Sequence, residues 1–297
     1  MSKLLDIVIC TYQREELLID CISALVHQSV SSKDWGVVVV NNAPAPMSTR
    51  TIDFLSQHDY ITVVNETKAG LSNARNMGIA SSNAQWLAFL DDDAKAPVDY
   101  VERIFQIIKE ESWDCFGGHI QSWWRYGKPR WLSEDYGSKP FLSKQRMKLT
   151  QKHNWGSNII IRKSSLLAIG NFPTEIGMRG DKLGYAAENI VQDRLRQDGY
   201  SIGYDPDLHV DHVVMSQKLK LKWHLKSTYA TGRDGKTVYP DQYGIVGMAL
   251  SFKNCISRPL KSIIFFLTKK EYYWEQVYLE SVKPYYLLAG KVRSLFI

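Results

Sequence analysis

The sequence lacks the features of a disulfide-stabilised or zinc-binding protein. Its 297 residues include only four cysteines, which lie far apart and form no CxxC pair: Cys10, Cys21, Cys115 and Cys255. This spacing excludes a disulfide scaffold and a cysteine-based zinc site. Separate reduced thiols fit the cytosol, and residues 1–5 lack the pattern of a signal peptide. We therefore expect a cytoplasmic protein.

Long apolar runs are also absent. The longest candidate, residues 256–267, is interrupted by Arg258, Pro259 and Lys261. A membrane-spanning helix needs about 20 consecutive apolar residues. No transmembrane helix is predicted.

Acidic residues are scarce in the last part of the chain. Residues 213–297 contain 14 Lys and Arg but 5 Asp and Glu, whereas residues 1–212 contain 23 and 26. Basic residues interleaved with aromatic ones predict contact with an anionic membrane surface, on the inner face of the membrane. Nucleic acid is not expected as a partner, because no nucleic-acid motif is present. The alternative is that this segment packs on the rest of the protein with its lysines in water.

Apolar runs alternate with amphipathic stretches through the first hundred residues. Strands are predicted at 5–10, 35–40, 61–64 and 86–90, and helices at 15–28, 51–58 and 71–81, with a further helix beginning at Pro97. This alternation predicts an α/β fold with a mostly parallel sheet flanked by helices. Residues 113–155 read as an aromatic loop region over a pocket. Residues 1–235 are expected to form one domain and residues 236–297 a helical, basic, aromatic-rich extension.

Polar residues follow three of the predicted strands, at Thr11–Arg14, Asn41–Asn42 and Asp91–Asp93. In such sheets ligands bind at the carboxyl ends of the strands, so these loops define a candidate site. Three adjacent carboxylates repel one another unless a cation or several N–H donors compensate them, which favours a divalent metal such as Mn²⁺ or Mg²⁺. The alternative is a cluster of acids in a turn or at a helix cap.

A loop containing Gly70 joins the third strand to the next helix, whose first turns contain Arg75. This arrangement is compatible with an anion site. Taken alone, however, these residues favour an ordinary solvated helical arginine, because one arginine is weak evidence.

Several segments occur in an order that resembles glycosyltransferase family 2: VICTYQR (8–14), VVVVNNA (37–43), KAGLSNARNMGI (68–79), WLAFLDDDA (86–94), WGSN (155–158) and LRQDGYSIGYDP (195–206). The resemblance implies a GT-A fold, a nucleotide-sugar donor and an inverting single displacement. It implies that Asp91 and Asp93 hold the metal and that donor contacts come from a set of ten residues: Thr11, Tyr12, Arg14, Asn41, Gly70, Arg75, Asp91, Asp92, Gly156 and Asn158.

The same resemblance suggests a general base and a third metal ligand. Glu188 aligns with the second acid of the family's acidic pair, whereas Ala187 occupies the position of the first. Without the family context, Glu188 reads as a favourable acid in the first turn of a helix, and Asp181 is the next carboxylate to consider. His212 corresponds to a histidine that approaches the metal or the diphosphate in relatives, although a lone histidine is more often structural.

Two departures from the family pattern affect specificity. Asn41 stands where relatives usually have Asp, which weakens the preference for uridine. The QxxRW signature of processive members is absent, which favours transfer of a single sugar.

The aromatic loop of residues 123–141 predicts an acceptor surface containing Trp124 and Trp131, together with Trp155, because aromatic faces suit sugar rings. Alternatively, these tryptophans pack a lid.

The sequence thus predicts a metal-dependent, inverting enzyme that moves one sugar, from a UDP-sugar by preference, to a glycan or lipid-linked saccharide in surface polysaccharide synthesis. One alternative is a binding protein that keeps the nucleotide fold without turnover. The other is a metal-dependent phosphohydrolase, which normally has its acid motif after the first strand rather than the fourth.

Overall fold

The computed structural model describes residues 3–174, 187–234, 236 and 240–296. The chain divides into two compact units. The first comprises Met1–Trp123 and Gly137–Val213, and the second comprises Trp124–Tyr136 and Val214–Ile297. The division thus falls at Val213 rather than at the boundary expected near residue 235.

The first unit contains nine strands: β1 (Leu5–Thr11), β2 (Trp35–Asn41), β3 (Ile61–Asn65), β4 (Trp86–Asp91), β5 (Ala94–Lys95), β6 (Cys115–Trp123), β7 (Met147–Lys148), β8 (Asn158–Arg162) and β9 (Ile202–Val213), all within the described residues. Its helices there are α1 (Glu15–Val26), α2 (Thr49–Ser56), α3 (Leu71–Ser81), α4 (Tyr100–Glu110), α5 (Lys163–Ala168) and α6 (Ala187–Gln197). The second unit contains α7 (Leu221–Asp234), α8 (Ile245–Thr268) and α9 (Trp274–Arg293).

The strands form one mixed sheet in the order β3-β2-β1-β4-β8-β6-β9-β5, with β7 paired to β9. Strands β1 to β4 are parallel, whereas β8 runs antiparallel to both of its neighbours. Alternate residues of β1 enter two different cores, Ile7 and Ile9 on one face and Val8 on the other. Burial on both faces explains the continuous apolar runs. The predicted α/β fold with flanking helices is confirmed.

Two local predictions were wrong. Helix α4 begins at Tyr100, after a turn in which the Tyr100 amide donates to the Pro97 carbonyl, and does not begin at Pro97. Part of the expected loop region is strand β6, whose first six residues are buried. Within it Gly118 lies so close to the Leu208 carbonyl that a Cβ atom would overlap that oxygen. The absence of a side chain at Gly118 therefore permits close strand packing.

The second unit has its own small apolar core. Helices α7 and α9 pack together, and buried Trp131, Leu132, Leu225 and Leu279 form the core. Among the described residues, none of the helices combines the length and the apolar content that crossing a membrane requires.

Candidate active site

The sheet itself brings a histidine to the aspartates that follow β4. Strand β5 pairs antiparallel with β9 so that Ala94 lies opposite His212, and the Val213 amide donates to the Asp93 carbonyl at 2.9 Å. This register places His212 Nε2 3.1 Å from Asp93 Oδ1 and 3.5 Å from Asp91 Oδ2. The site therefore joins segments that are about 120 residues apart in the chain.

Two arginines approach the same carboxylates. Arg14 Nη1 lies 3.2 Å from Asp93 Oδ2 and 3.4 Å from Asp92 Oδ1. Arg75 Nη2 lies 3.7 Å from Asp91 Oδ1. Both arginines and His212 thus face the three acids. The repulsion between the carboxylates, which the sequence alone assigned to a metal, is already partly compensated by the protein.

These contacts shift the pKa of several groups. Burial and the charge of Asp93 raise the pKa of Asp92 to about 7, although Arg14 and the Thr11 hydroxyl, 2.8 Å from its Oδ2, oppose the shift. Burial disfavours the charged form of His212, but hydrogen bonds to Asp91 and Asp93 outweigh burial and raise its pKa to about 10. His212 is therefore an imidazolium at neutral pH in this arrangement.

Asp91, Asp93 and His212 meet the requirements of a metal site. Each offers one ligand atom, and the three atoms lie within 4.8 Å of one another. Carboxylate oxygens with one imidazole nitrogen suit Mn²⁺ or Mg²⁺. A bound ion would displace the proton from His212, because only neutral imidazole ligates a metal. The residues present therefore fit a divalent cation.

Arg75 is the buried centre of the site. Only 4% of its surface is exposed, and its guanidinium lies 5.1 Å from the centre of the Phe172 ring and 5.9 Å from that of Phe89. It donates to the Gly156 carbonyl at 3.0 Å, and its Nη1 lies 4.0 Å from Glu188 Oε2. Arg75 thus stands between Asp91 and Glu188, in a position that an ordinary solvated arginine would not occupy.

Gly156 permits this arrangement. A Cβ atom there would lie 3.1 Å from Arg75 Nη2 and 3.1 Å from the Glu188 carboxyl carbon. Such contacts are tighter than those of ordinary side chains. A larger residue at position 156 would therefore push the arginine and the carboxylate out of place.

A second group of expected donor-binding residues lies at the end of β2. The Asn41 amide donates to the Ala45 carbonyl and to Asn65 Oδ1, and its own oxygen accepts from the Ala43 amide. Gly70, at a φ of 136°, donates to Asn42 Oδ1. These contacts hold the loops in shape. Donor binding by Asn41 and Gly70 stays a prediction, as it does for the exposed Tyr12.

The remaining expected residues are not gathered at the carboxylates. Asn158 is fully buried, accepts from the Tyr100 hydroxyl and donates to the carbonyls of His119 and Leu208. Trp155 packs at the edge of the larger core of the first unit. Trp131, which is 8% exposed, belongs to the core of the second unit, and half-buried Trp124 packs against that core. Asp181 lies outside the described residues.

The family model described as Glycosyl transferase family 2 matches residues 6–170. The chain belongs to glycosyltransferase family 2. This result confirms both the resemblance seen in the sequence motifs and the expected enzyme class, a glycosyltransferase of a family that acts on nucleotide sugars.

Individual relatives of this glycosyltransferase agree with the assignment. It is 24% identical to the glucosyl-dolichyl phosphate glucuronosyltransferase of Haloferax volcanii, over 86% of this chain and 87% of the relative. It is 23% identical to the succinoglycan biosynthesis protein ExoM of Rhizobium meliloti, over 77% and 73% of the two chains. In fold it resembles the mannosyltransferase PcManGT of Pyrobaculum calidifontis, solved with GDP-mannose and Mn²⁺, with a TM-score of 0.61 and 15% identity over 100% of this chain and 88% of that one.

The main feature of this glycosyltransferase that the sequence did not reveal is the position of Arg75. Nothing in the spacing of LSNARN distinguishes a buried arginine from a solvated one, because α3 presents several polar residues on its buried side. Phe89 and Phe172, which flank the guanidinium, are unremarkable apolar residues in the sequence. The signal in the sequence for the position of Arg75 was Gly70, which immediately precedes α3. Its amide donates to Asn42 Oδ1, next to the end of β2.

Proposed function

We propose that this enzyme transfers one sugar, with inversion, from a nucleotide-sugar donor to a saccharide acceptor in a divalent metal-dependent reaction. The observation that carries the proposal is the convergence of Asp91, Asp93 and His212 beside Arg75 and Glu188. A cation site and a candidate base thereby share one arginine. This is the arrangement that displacement of a nucleoside diphosphate by a hydroxyl requires.

In the proposed reaction an acceptor hydroxyl attacks the anomeric carbon while the bond from that carbon to the diphosphate breaks. Glu188, whose side chain is 28% exposed, accepts the hydroxyl proton. Arg75 holds Glu188 and Asp91 in fixed positions. A divalent ion held by Asp91, Asp93 and His212 would supply positive charge for the departing diphosphate. Arg14 adds a second positive group at the same carboxylates.

The nucleotide is the least specified part of the donor. We propose a UDP-sugar, although the amide of Asn41 already binds Ala45 and Asn65. The similar mannosyltransferase was solved with GDP-mannose, which makes GDP-sugars the second donors to test. The glucuronosyltransferase relative acts on a glucosyl-dolichyl phosphate, which supports a lipid-linked saccharide as the acceptor class in surface polysaccharide synthesis.

A donor screen tests this proposal. The full chain is incubated with UDP- and GDP-sugars, with Mn²⁺, with Mg²⁺ or with a chelator, and release of the nucleoside diphosphate and thermal unfolding are measured. We expect one nucleotide to raise the unfolding temperature only when the metal is present. Release of inorganic phosphate from many phosphate esters, without dependence on a sugar, would contradict the proposal.

We further propose that helix α8 attaches the enzyme to the cytoplasmic face of a membrane. Residues at helical spacing give α8 an exposed apolar face, where Ile245, Ile256, Leu260 and Leu267 are 92%, 69%, 59% and 76% exposed. The helix includes Lys253, Arg258 and Lys261 but no acidic residue. An apolar face flanked by cations matches a membrane surface with anionic lipid better than it matches a second, equally basic copy of the helix.

Vesicle sedimentation tests the membrane contact on the full chain. An Ile256→Gln, Leu260→Gln variant should lose binding to vesicles that contain anionic lipid, because about 1.5–3 kcal/mol accompanies burial of each such side chain. A Val98→Gln, Leu167→Gln variant is the matched control, since these side chains of the first unit are 59% and 51% exposed. Equal binding by all three proteins, or no binding by the unaltered chain, would contradict the membrane contact.

A further inference from the structure

The second unit contains an open pocket of about 560 Å³ that the proposed reaction does not use. Helices α8 and α9 form its walls, and the segment Trp124–Tyr136 and α7 complete it. Its volume lies within the range of small-molecule binding sites, about 300–1,000 Å³. Its lining combines apolar side chains with hydroxyls and cations, whereas the core of a helical unit is normally lined by apolar side chains.

Positive charge is in excess in this pocket. The lining contains the cations Arg258, Lys261 and Lys283 and the single carboxylate of Glu280. Arg258 Nη1 pairs with Glu280 Oε2 at 2.7 Å. Among the described residues, Lys261 and Lys283 then have no carboxylate within salt-bridge distance. Two ammonium groups without a salt bridge therefore line the same pocket.

Burial is the main cause of the pKa shifts of two basic groups in this lining, Lys283 and His224. Burial lowers the pKa of the Lys283 ammonium, the carboxylate of Glu280 opposes this shift, and the guanidinium of Arg258 adds to it. Burial also lowers the pKa of His224 in the same lining, and the charge of Lys283 adds to that shift. An anion bound here would favour the charged form of Lys283, which burial disfavours.

The remaining lining defines which anion fits. The same lining contains the hydroxyls of Ser133 and Ser257, which are donors suited to a phosphate group. Leu279, 3% exposed, and the ring of Phe265 supply an apolar wall, and Phe265 belongs to the helix whose exposed face we assign to the membrane. An anion with an apolar chain satisfies both parts of the lining, whereas a free ion satisfies only one.

We infer that this pocket binds the phosphate headgroup of a lipid, with Lys261 and Lys283 as its counter-ions and the Phe265–Leu279 wall against the start of the lipid chain. A membrane phospholipid and the phosphate of a lipid-linked acceptor share this chemistry. The site is distinct from the carboxylate site of the first unit. It supplies the enzyme with a second, headgroup-selective means of lipid recognition beyond the apolar face of α8.

Calorimetric titration of the full chain tests the inference with three soluble probes: dihexanoyl phosphatidic acid, citronellyl phosphate and inorganic phosphate. We expect both amphiphilic probes to bind at least tenfold more tightly than inorganic phosphate. A Lys261→Gln, Lys283→Gln variant should lose at least tenfold in affinity for them. A Lys269→Gln, Lys270→Gln variant removes the same charge from exposed positions outside the pocket and should bind within about twofold of the unaltered chain.

The preferred probe identifies the source of the lipid. Tighter binding of citronellyl phosphate supports a lipid-linked acceptor, and tighter binding of phosphatidic acid supports a membrane phospholipid. Inorganic phosphate binding as tightly as both, equal losses in the two double variants, or no binding at all would overturn the inference. If the double variant does not fold, the single Lys261→Gln variant is titrated in its place, because Lys261 lies at an exposed position. This titration needs neither a sugar donor nor sugar transfer. A negative result would therefore contradict the lipid site without contradicting the proposed reaction.

Discussion

Replacement of Arg75 by methionine should impair stability and turnover together. Arg75 Nη2 lies 3.7 Å from Asp91 and Nη1 4.0 Å from Glu188. At an effective dielectric constant of about 20, each pair contributes about 4 kcal/mol of attraction. Desolvation of the buried guanidinium offsets much of this attraction. In the variant, water screens the side chains of Asp91 and Glu188, which are 32% and 28% exposed.

The variant also leaves the Gly156 carbonyl without its donor, which costs about 1–3 kcal/mol when that group is buried. We therefore expect Arg75→Met to lower the free energy of unfolding by about 3 kcal/mol. Turnover should fall about 10²-fold, because a displaced Glu188 no longer meets the acceptor hydroxyl in the reactive geometry. Arg75→Lys keeps the charge but not the planar fork, and should recover part of the turnover.

Urea unfolding and the rate of nucleoside diphosphate release measure the two effects. Arg162→Met is the matched control. Like Arg75, Arg162 lies over an aromatic ring, 4.5 Å from the centre of the Trp86 ring, and pairs with a carboxylate, but its side chain is 41% exposed. This replacement should cost less than about 1 kcal/mol and leave turnover unchanged. If Arg75→Met kept both normal stability and normal turnover, its role as the positioning residue of the site would be refuted.

Four further changes give distinct outcomes. Asp93→Asn should abolish metal-dependent donor binding in calorimetry while circular dichroism stays native, and retained binding would remove the metal assignment. Glu188→Gln should keep donor affinity but lower turnover about 10²- to 10⁴-fold, as expected for loss of a general base; weakened donor binding with unchanged turnover would assign it a different role. Burial would raise the pKa of Asp205, but hydrogen bonds from Arg103 outweigh burial, and its pKa is lowered. The ionised carboxylate therefore stabilises the fold at neutral pH, and this contribution declines as the pH falls below about 4. Asp205→Asn should cost about 3 kcal/mol in urea unfolding at pH 7 and about 1 kcal/mol less at pH 3. Lys283→Met should raise the unfolding temperature of the ligand-free chain, because burial disfavours its charge, whereas Lys269→Met should not change it.

The fold of the first unit was largely predictable, because its strands are buried on both faces and leave continuous apolar runs. Helix α3 was expected at residues 71–81, where it lies. The position of the aspartates after β4, near the ends of the neighbouring parallel strands, was also predictable, since parallel strands end at a common edge. These features follow from local patterns that extend over a few residues.

Features that depend on pairing between distant segments were not predictable. Strand β9 is 12 residues long and extends to Val213 because it pairs with β6 and also with β5. The position of His212 beside Asp93 follows from that register. Likewise, α7 reads as part of the first domain by sequence order, although it packs against α9.

The pairing of β5 with β9 also has a consequence for how the enzyme matures during synthesis. Asp91 and Asp93 leave the ribosome long before His212, and α6 with Glu188 precedes β9 only shortly. Contacts between residues so far apart in sequence form slowly, since a long loop must close first. A nascent chain that ends before His212 therefore has its aspartates but cannot complete the candidate cation site. Capture of a metal and donor would then stabilise only chains in which β9 has joined the sheet, so ligand availability would set the fraction of newly made enzyme that survives quality control.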